Sequence, residues 1–325
     1  MRALLVHPAY LGDTVFLGPA VRALKARWPG GHVALVVTPR GAPAARLLPG
    51  CDQVVVFDKR RGDGGPAGLW RLGRSLRQGA FDLALVSHPS LRSGLLALLS
   101  GAPRRIGYAP FCTERLPLDR TRPFVDRSRL LAERAGALGD PGLALMAPPG
   151  LAAYADRVLA GAPRPILGVV PGAEWATKRW DPARWVELLR RLGGTPVLLG
   201  APDEQGLTGA IAAGLGGAAR DAAGNTIEEA VALLARCDLV LGGDTGLVHC
   251  ARALGRPTVL LFGPTGSTRH RLLPGERAVS LGLDCQPCHD HGPRRCPRGR
   301  RACLDDLEPG RVEEVARALL DLRGG

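Results

Sequence analysis

One stretch constrains this chain more than any other: Leu239-Val240-Leu241-Gly242-Gly243-Asp244-Thr245-Gly246-Leu247-Val248-His249. The apolar run Asp238–Leu241 reads as a buried strand. Two glycines and Asp-Thr-Gly follow, and then apolar residues recur at helical spacing from Leu247 to Leu254. A strand, a tight turn and a helix in that order place Asp244 or Thr245 to cap the helix. They also leave unpaired N–H groups and a positive dipole end where glycine permits close approach of a ligand, a setting suited to a diphosphate. The next apolar run, Thr258–Phe262, ends in a second small, hydroxyl-rich turn, Gly263-Pro264-Thr265-Gly266-Ser267-Thr268. Two such turns at the carboxyl ends of adjacent parallel strands mark the place where an open α/β sheet binds a nucleotide. The plainer reading is a capped helix after a buried strand, and the motif by itself leaves both open.

The rest of the chain repeats the alternation. Strands are expected at 3–6, 33–37, 53–57, 83–86 and from 105. Helices are expected at 14–28, 41–48, 66–78, 91–99 and 126–138. A Pro- and Gly-rich stretch, 139–163, holds one short helix at 152–159, and then the pattern restarts. Strands follow at 166–170 and 196–199, and helices at 182–192, 204–215, 227–235 and 309–322. Alternating strands and helices imply mainly parallel sheets covered on both faces. The expected organisation is two α/β domains, residues 1–150 and 151–325. Gly12-Asp13-Thr14 after the first strand echoes Gly243-Asp244-Thr245. Two such halves would face a cleft with one Gly-Asp-Thr turn on each wall.

Formal net charge is +13, and only three of the 43 basic residues are lysine: Lys25, Lys59 and Lys178. The excess admits polyanionic partners such as nucleic acid, anionic lipid headgroups or phosphorylated glycans. Heavy arginine use, 28 prolines and a single asparagine, Asn225, fit a thermophile or a GC-rich genome. No apolar run approaches the ~20 residues that span a bilayer. The opening run reads as a first core strand rather than a signal peptide, so a cytoplasmic chain is expected.

Three further positions stand out. Asp13 follows the first strand at a helix start, where a carboxylate serves as a general base or simply as a cap. Lys178, in Pro171-Gly172-Ala173-Glu174-Trp175-Ala176-Thr177-Lys178-Arg179-Trp180, is a compact charge suited to a phosphate oxygen, or half of a surface pair beside a core Trp180. Glu204 could accept hydrogen bonds from ribose hydroxyls or complement a helix dipole. The Gly-x-Gly-x-x-Gly fingerprint is absent from the first half, which weighs against a nicotinamide cofactor there.

Taken in order, these segments resemble glycosyltransferase family 9, the heptosyltransferases of the lipopolysaccharide inner core. The matching pieces are Leu11-Gly12-Asp13 with Pro19–Leu24, Pro171-Gly172-Ala173 with Lys178-Arg179-Trp180, Asp244–His249, and Leu254-Gly255-Arg256-Pro257 through Phe262–Thr265. The resemblance implies a GT-B fold of two Rossmann-like domains, the first on the acceptor side and the second binding a nucleotide-diphosphate sugar. It implies inverting transfer of heptose from ADP-heptose to a lipid-linked anionic glycan, with peripheral association at the inner membrane; the alternative within the class is the same fold using another nucleotide sugar. Asp13 would then be the base. Lys178 and the N–H groups of Thr245 and Gly246 would stabilise the departing diphosphate, Asp244 and His249 would line that site, and Glu204 would hold the ribose. No catalytic metal would be required. Arg60, Arg61, Arg92 and Arg105, in or near loops of the first half, could meet acceptor phosphates or acidic sugars.

Four of the eight cysteines fall as Cys285-x2-Cys288-x7-Cys296-x6-Cys303, among five arginines. The spacing suits a structural zinc site, disulfides or free thiols, and a similar cysteine tail marks the heptosyltransferase II branch. A nucleic-acid-binding protein with a zinc knuckle and basic tail would account for the charge and the cysteines. It would leave Asp13, Lys178 and the Asp-Thr-Gly turn without a purpose, so no nucleic-acid partner is expected.

Overall fold

A computed structural model describes residues 1–324 of the chain. Contacts divide it into two compact units, Met1–Met146 and Ala147–Gly325. Each is built on one six-stranded sheet in which every neighbouring pair is parallel.

The first sheet comprises β1 Arg2–Val6, β2 His32–Val37, β3 Gln53–Val56, β4 Leu83–Val86, β5 Arg104–Gly107 and β6 Glu114–Arg115. Its order is β3-β2-β1-β4-β5-β6. The second comprises β7 Ile166–Val170, β8 Thr195–Leu198, β9 Arg220–Asp221, β10 Leu239–Gly243, β11 Thr258–Leu261 and β12 Glu276–Val279. Its order is β12-β11-β10-β7-β8-β9. Counted from the first strand of each unit, the two orders are the same. In both, the order reverses between the first and fourth strands, β1/β4 and β7/β10, and the crevice at the carboxyl ends of such a pair is where doubly wound sheets bind ligands.

Helices on both faces explain the continuous apolar strands. Leu4, Leu5 and Val6 are buried, as are Leu239, Val240 and Leu241. Leu241 lies opposite Val169 on one side and Val259 on the other. Below this sheet, Trp185 meets Trp180 edge-to-face at 5.0 Å, and Trp180 Nε1 donates to the Leu307 carbonyl at 3.2 Å. Val312, Ala316 and Leu319 of the last helix, Pro309–Gly324, enter the same core. Trp180 is therefore a core residue.

Two expectations are corrected. The helix expected at 14–28 is two helices, Leu11–Val15 and Gly18–Arg27. Pro19 lacks an N–H and its ring would strike the carbonyl of Val15, so it is accommodated only in the first turn of a new helix. Strands β6, β9 and β12 were not anticipated. The first two are two-residue, largely exposed edge pieces, and β12 carries Glu276 and Arg277 where an apolar run would be sought.

Leu241→Ala removes a fully buried side chain between β7 and β11. It should cost about 2–5 kcal/mol in chemical denaturation followed by circular dichroism. A loss below about 1 kcal/mol would show that this strand is not central to the second core.

Candidate functional site

The carboxyl ends of β7, β10 and β11 bring together Lys178, Asp244, His249 and His270. Lys178 ends a short 3-10 turn, Ala176–Lys178, in the loop after β7. Its Nζ lies 3.0 Å from Asp244 Oδ2, and each side chain is only 11% exposed. The other oxygen, Oδ1, accepts from His249 Nε2 at 3.0 Å and from His270 Nε2 at 3.2 Å. The two imidazoles stack with centroids 5.0 Å apart, and His270 also leans on Phe262 at 5.4 Å.

The network continues inward. Arg252, with a fully buried guanidinium, places Nη1 3.4 Å from His249 Nδ1. A guanidinium only donates, so Nδ1 is the acceptor and the ring proton sits on Nε2, facing Asp244. Arg252 Nη2 donates to Glu276 Oε2 at 2.9 Å and to the Arg271 carbonyl at 2.7 Å. Glu276 Oε2 also takes the Leu273 N–H at 2.9 Å. Two cations and two anions thus alternate from the loop edge to β12, with a neutral imidazole between them.

Burial pushes the His249 pKa down to about 3, and the nearby His270 and Arg252 add to this against the pull of Asp244. For Asp244, burial opposes the charge. Hydrogen bonds from His249 and His270 and the ammonium of Lys178 outweigh it and hold the carboxyl well below the usual range. The ligand atoms of Asp244, His249 and His270 lie within 4.8 Å of one another, a spacing that could hold a cation. Lys178 already supplies positive charge there.

Thr245 occupies the N-cap of the Gly246–Ala253 helix, but no side-chain cap bond forms. Thr245 thus holds the expected cap position without the expected side-chain bond, and the Asp244 carboxylate is committed to Lys178 and the two histidines. In the neighbouring turn, the buried Thr265 hydroxyl has no hydrogen-bond partner among the described residues. Thr265 and His270 were not singled out from sequence, although both belong to the segment that begins with the second hydroxyl-rich turn.

Glu204 is buried after β8. Its Oε2 accepts the Ala201 N–H at 2.9 Å, and Oε1 lies 3.8 Å from Arg179 Nη2. A Cβ on Gly172 would stand 2.2 Å from the Glu204 carboxyl carbon, so the glycine of Pro-Gly-Ala leaves room for this carboxylate in its present position.

In the first unit, Asp13 is half-buried in the five-residue helix Leu11–Val15 after β1, and Tyr10 holds the N-cap position. Arg60 and Arg61 are exposed on a turn whose N–H groups are held by Asp58 Oδ1, and Arg92 is exposed near the start of helix Leu91–Leu99. Arg105 spends its guanidinium on the carbonyls of Phe111 and Ala102 at 2.9 and 2.7 Å, so it clamps its own loop. The structure adds Lys59, His7 and His88. The two imidazoles at the β1/β4 reversal are 5.8 Å apart. Burial and the neighbouring Lys59 push His88 down to about 4. Burial, His88 and Lys59 push His7 down to about 3. Lys59 is itself lowered by burial and by Arg92 and Arg60. Cations gathered in this way form a setting for an anion.

Two outcomes follow. Glu276→Ala leaves Arg252 buried without its counter-charge and should destabilise the second unit by about 3–5 kcal/mol in denaturant titrations. A loss under 1 kcal/mol would remove the relay from the account. Below pH 6.5 the unfolded chain protonates His249 while the native chain does not. This part of the stability is complete above 6.5 and falls as pH drops toward about 3, at up to about 1.4 kcal/mol per pH unit. His249→Gln should flatten the decline between pH 6 and 4, and identical slopes for both proteins would contradict the assignment.

The family model for glycosyltransferase family 9 (heptosyltransferase) matches residues 69–295. The chain is 29% identical to lipopolysaccharide heptosyltransferase 2 of Salmonella typhimurium, covering 100% of both chains. It is similar to the structure of Escherichia coli ADP-heptose lps heptosyltransferase II, with TM-score 0.81, 26% identity and 100% of each chain covered. It also shares the fold of a family 9 glycosyl transferase from Veillonella parvula, with TM-score 0.87, 21% identity, and 98% and 97% of the chains covered. The two Rossmann-like units are those of a GT-B-type enzyme, and the chain belongs to glycosyltransferase family 9, the heptosyltransferases.

Proposed function

We propose that this glycosyltransferase moves heptose from ADP-heptose to an anionic, lipid-linked acceptor of the lipopolysaccharide core type, with inversion at the sugar carbon. The observation that carries the reading is the Lys178–Asp244 pair at the β7/β10 reversal. An ammonium held there by a buried carboxylate meets a diphosphate together with the N–H groups of Thr245 and Gly246. As the sugar–phosphate bond breaks, charge grows on the leaving ADP, and these groups are already oriented toward it. His249 lines the site by fixing Asp244. Glu204, braced by Ala201, offers its remaining lone pairs to the ribose hydroxyls.

Asp13, at the carboxyl edge of β1, is the base that takes the proton of the acceptor hydroxyl. Arg60, Arg61 and Arg92, with Lys59, receive the acceptor's acidic groups. Arg105 is left out because its donors are used within its own loop. No cofactor enters the chemistry, and a zinc ion or disulfides among Cys285, Cys288, Cys296 and Cys303 would be structural. Among the described residues no helix is long and apolar enough to cross a membrane. With a net charge of +13, the chain reaches its lipid-linked acceptor by peripheral association with the anionic face of the inner membrane. The setting of the reaction is cytoplasmic. The nucleic-acid reading fails to use the Lys178–Asp244 pair and is not favoured.

Transfer from ADP-heptose to a heptose-deficient core acceptor tests the roles. Asp13→Asn should lower turnover by about 10²–10⁴-fold while ADP affinity stays within about twofold. Lys178→Ala should weaken ADP binding roughly tenfold, about 1.4 kcal/mol, and slow transfer as well. Full activity in Asp13→Asn would overturn the base assignment.

A further inference from the structure

Residues 280–301, between β12 and the Ala302–Asp305 helix, contain no helix or strand. A structureless stretch beyond about 15 residues is uncommon in a compact unit and is usually functional or a linker. This one is no linker, because it is tied to both loops of the candidate nucleotide site. The N–H groups of Cys288 and His289 donate to the Pro264 carbonyl at 3.0 and 3.1 Å. Gln286 Nε2 donates to the carbonyls of Phe262 and Gly263 at 3.2 and 2.7 Å. On the other side, Thr177 Oγ1 donates to the Pro293 carbonyl at 2.6 Å. Arg301 Nη1 holds the carbonyls of Ala176 and Arg179 at 3.0 and 2.9 Å. The backbone at Gly292 lies against the Lys178 stem, where a Cβ would come within 2.8 Å of Lys178 Cδ.

The same segment carries three thiols, Cys285, Cys288 and Cys296, and the helix that follows adds Cys303; all four are free. The four carry the Cys-x2-Cys knuckle spacing that tetrahedral zinc sites use, and Cys303 is a neighbour of the other three. His289 and His291 are exposed, and His289 Nδ1 takes the His291 N–H at 3.0 Å. Among the described residues no three of the four sulfurs lie within 4.8 Å of one another. An ion would therefore draw in ligands that are gathered but not yet closed.

We propose that Cys285, Cys288, Cys296 and Cys303 bind one zinc ion tetrahedrally and that the ion, by closing this segment, fixes the loop that carries Lys178. Each thiol gives its proton to solvent as its sulfur binds the metal. The resulting site, with four thiolates on a dication, bears net negative charge, and Arg294, Arg295, Arg298, Arg300 and Arg301 surround it in sequence. The second half of the proposal rests on the nucleotide reading of Lys178.

The test begins with metal analysis of untagged wild-type protein purified under reducing conditions, before and after exposure to zinc. One equivalent of zinc per chain is expected, with four thiols shielded from a thiol reagent until a strong chelator is added. The double variant Cys285→Ser/Cys288→Ser should lose the zinc, while Cys51→Ser keeps it. Zinc-free wild type should bind ADP about tenfold more weakly and recover when zinc is restored. No stoichiometric zinc in wild type after exposure, or a mass showing disulfides among the four cysteines under reducing conditions, would overturn the site. Equal ADP affinity with and without zinc would overturn the coupling to Lys178. Zinc bound at one equivalent in a protein that takes no ADP would leave the metal site standing and sink the nucleotide reading instead.

Discussion

One buried carboxylate organises the carboxyl edge of the second unit's sheet. Asp244 faces two imidazole N–H groups through one oxygen and an ammonium through the other. Removing such a charge from water is costly unless every lone pair is used, and here the partners come from three loops of one sheet edge. Asp244 follows β10, Lys178 lies in the loop after β7, and His270 follows β11. The parallel order of the strands makes this convergence possible, since only the carboxyl ends of parallel neighbours release their loops on the same side. The charge of Lys178 is thereby held in place and stays near the edge, where an anion would meet it without reorganisation of the protein.

Beneath that carboxylate, His249 passes the constraint to Arg252 and Glu276. The Arg252 guanidinium fixes the tautomer of His249, and Glu276 balances the guanidinium. A neutral histidine between two ion pairs transmits orientation without adding charge. The Lys178 loop thus faces a buried polar relay and not surface contacts alone, which contribute little.

Much of the fold was readable in the sequence for a physical reason. Parallel strands covered on both faces are unbroken apolar runs, so β1, β2, β4, β7, β10 and β11 declare themselves. β12 does not, because Glu276 is acceptable in a strand only through Arg252, a partner no local pattern reveals. The helix break at Pro19 was visible as a proline and was read through, because the apolar spacing continues on both sides of it. Lys178, Asp244 and His249 were legible as residues of a strand–turn–helix unit. His270 was not, since its link to Asp244 crosses β11. Likewise Gly172 reads as a turn glycine, whereas the structure packs the Glu204 carboxylate against it. Arg105 shows the opposite limit, for an arginine sought near a loop sits in β5 and clamps two carbonyls.

The central claim is that Asp244 holds Lys178 ready for a nucleoside diphosphate. Calorimetric titration of wild type, Lys178→Ala and Asp244→Asn with ADP, UDP and GDP at neutral pH addresses it most directly. The account predicts selective ADP binding by wild type and a loss of about tenfold or more in each variant. ADP binding of equal strength in all three proteins would contradict it, whereas a wild-type preference for UDP or GDP would change the donor and leave the role of Lys178 standing.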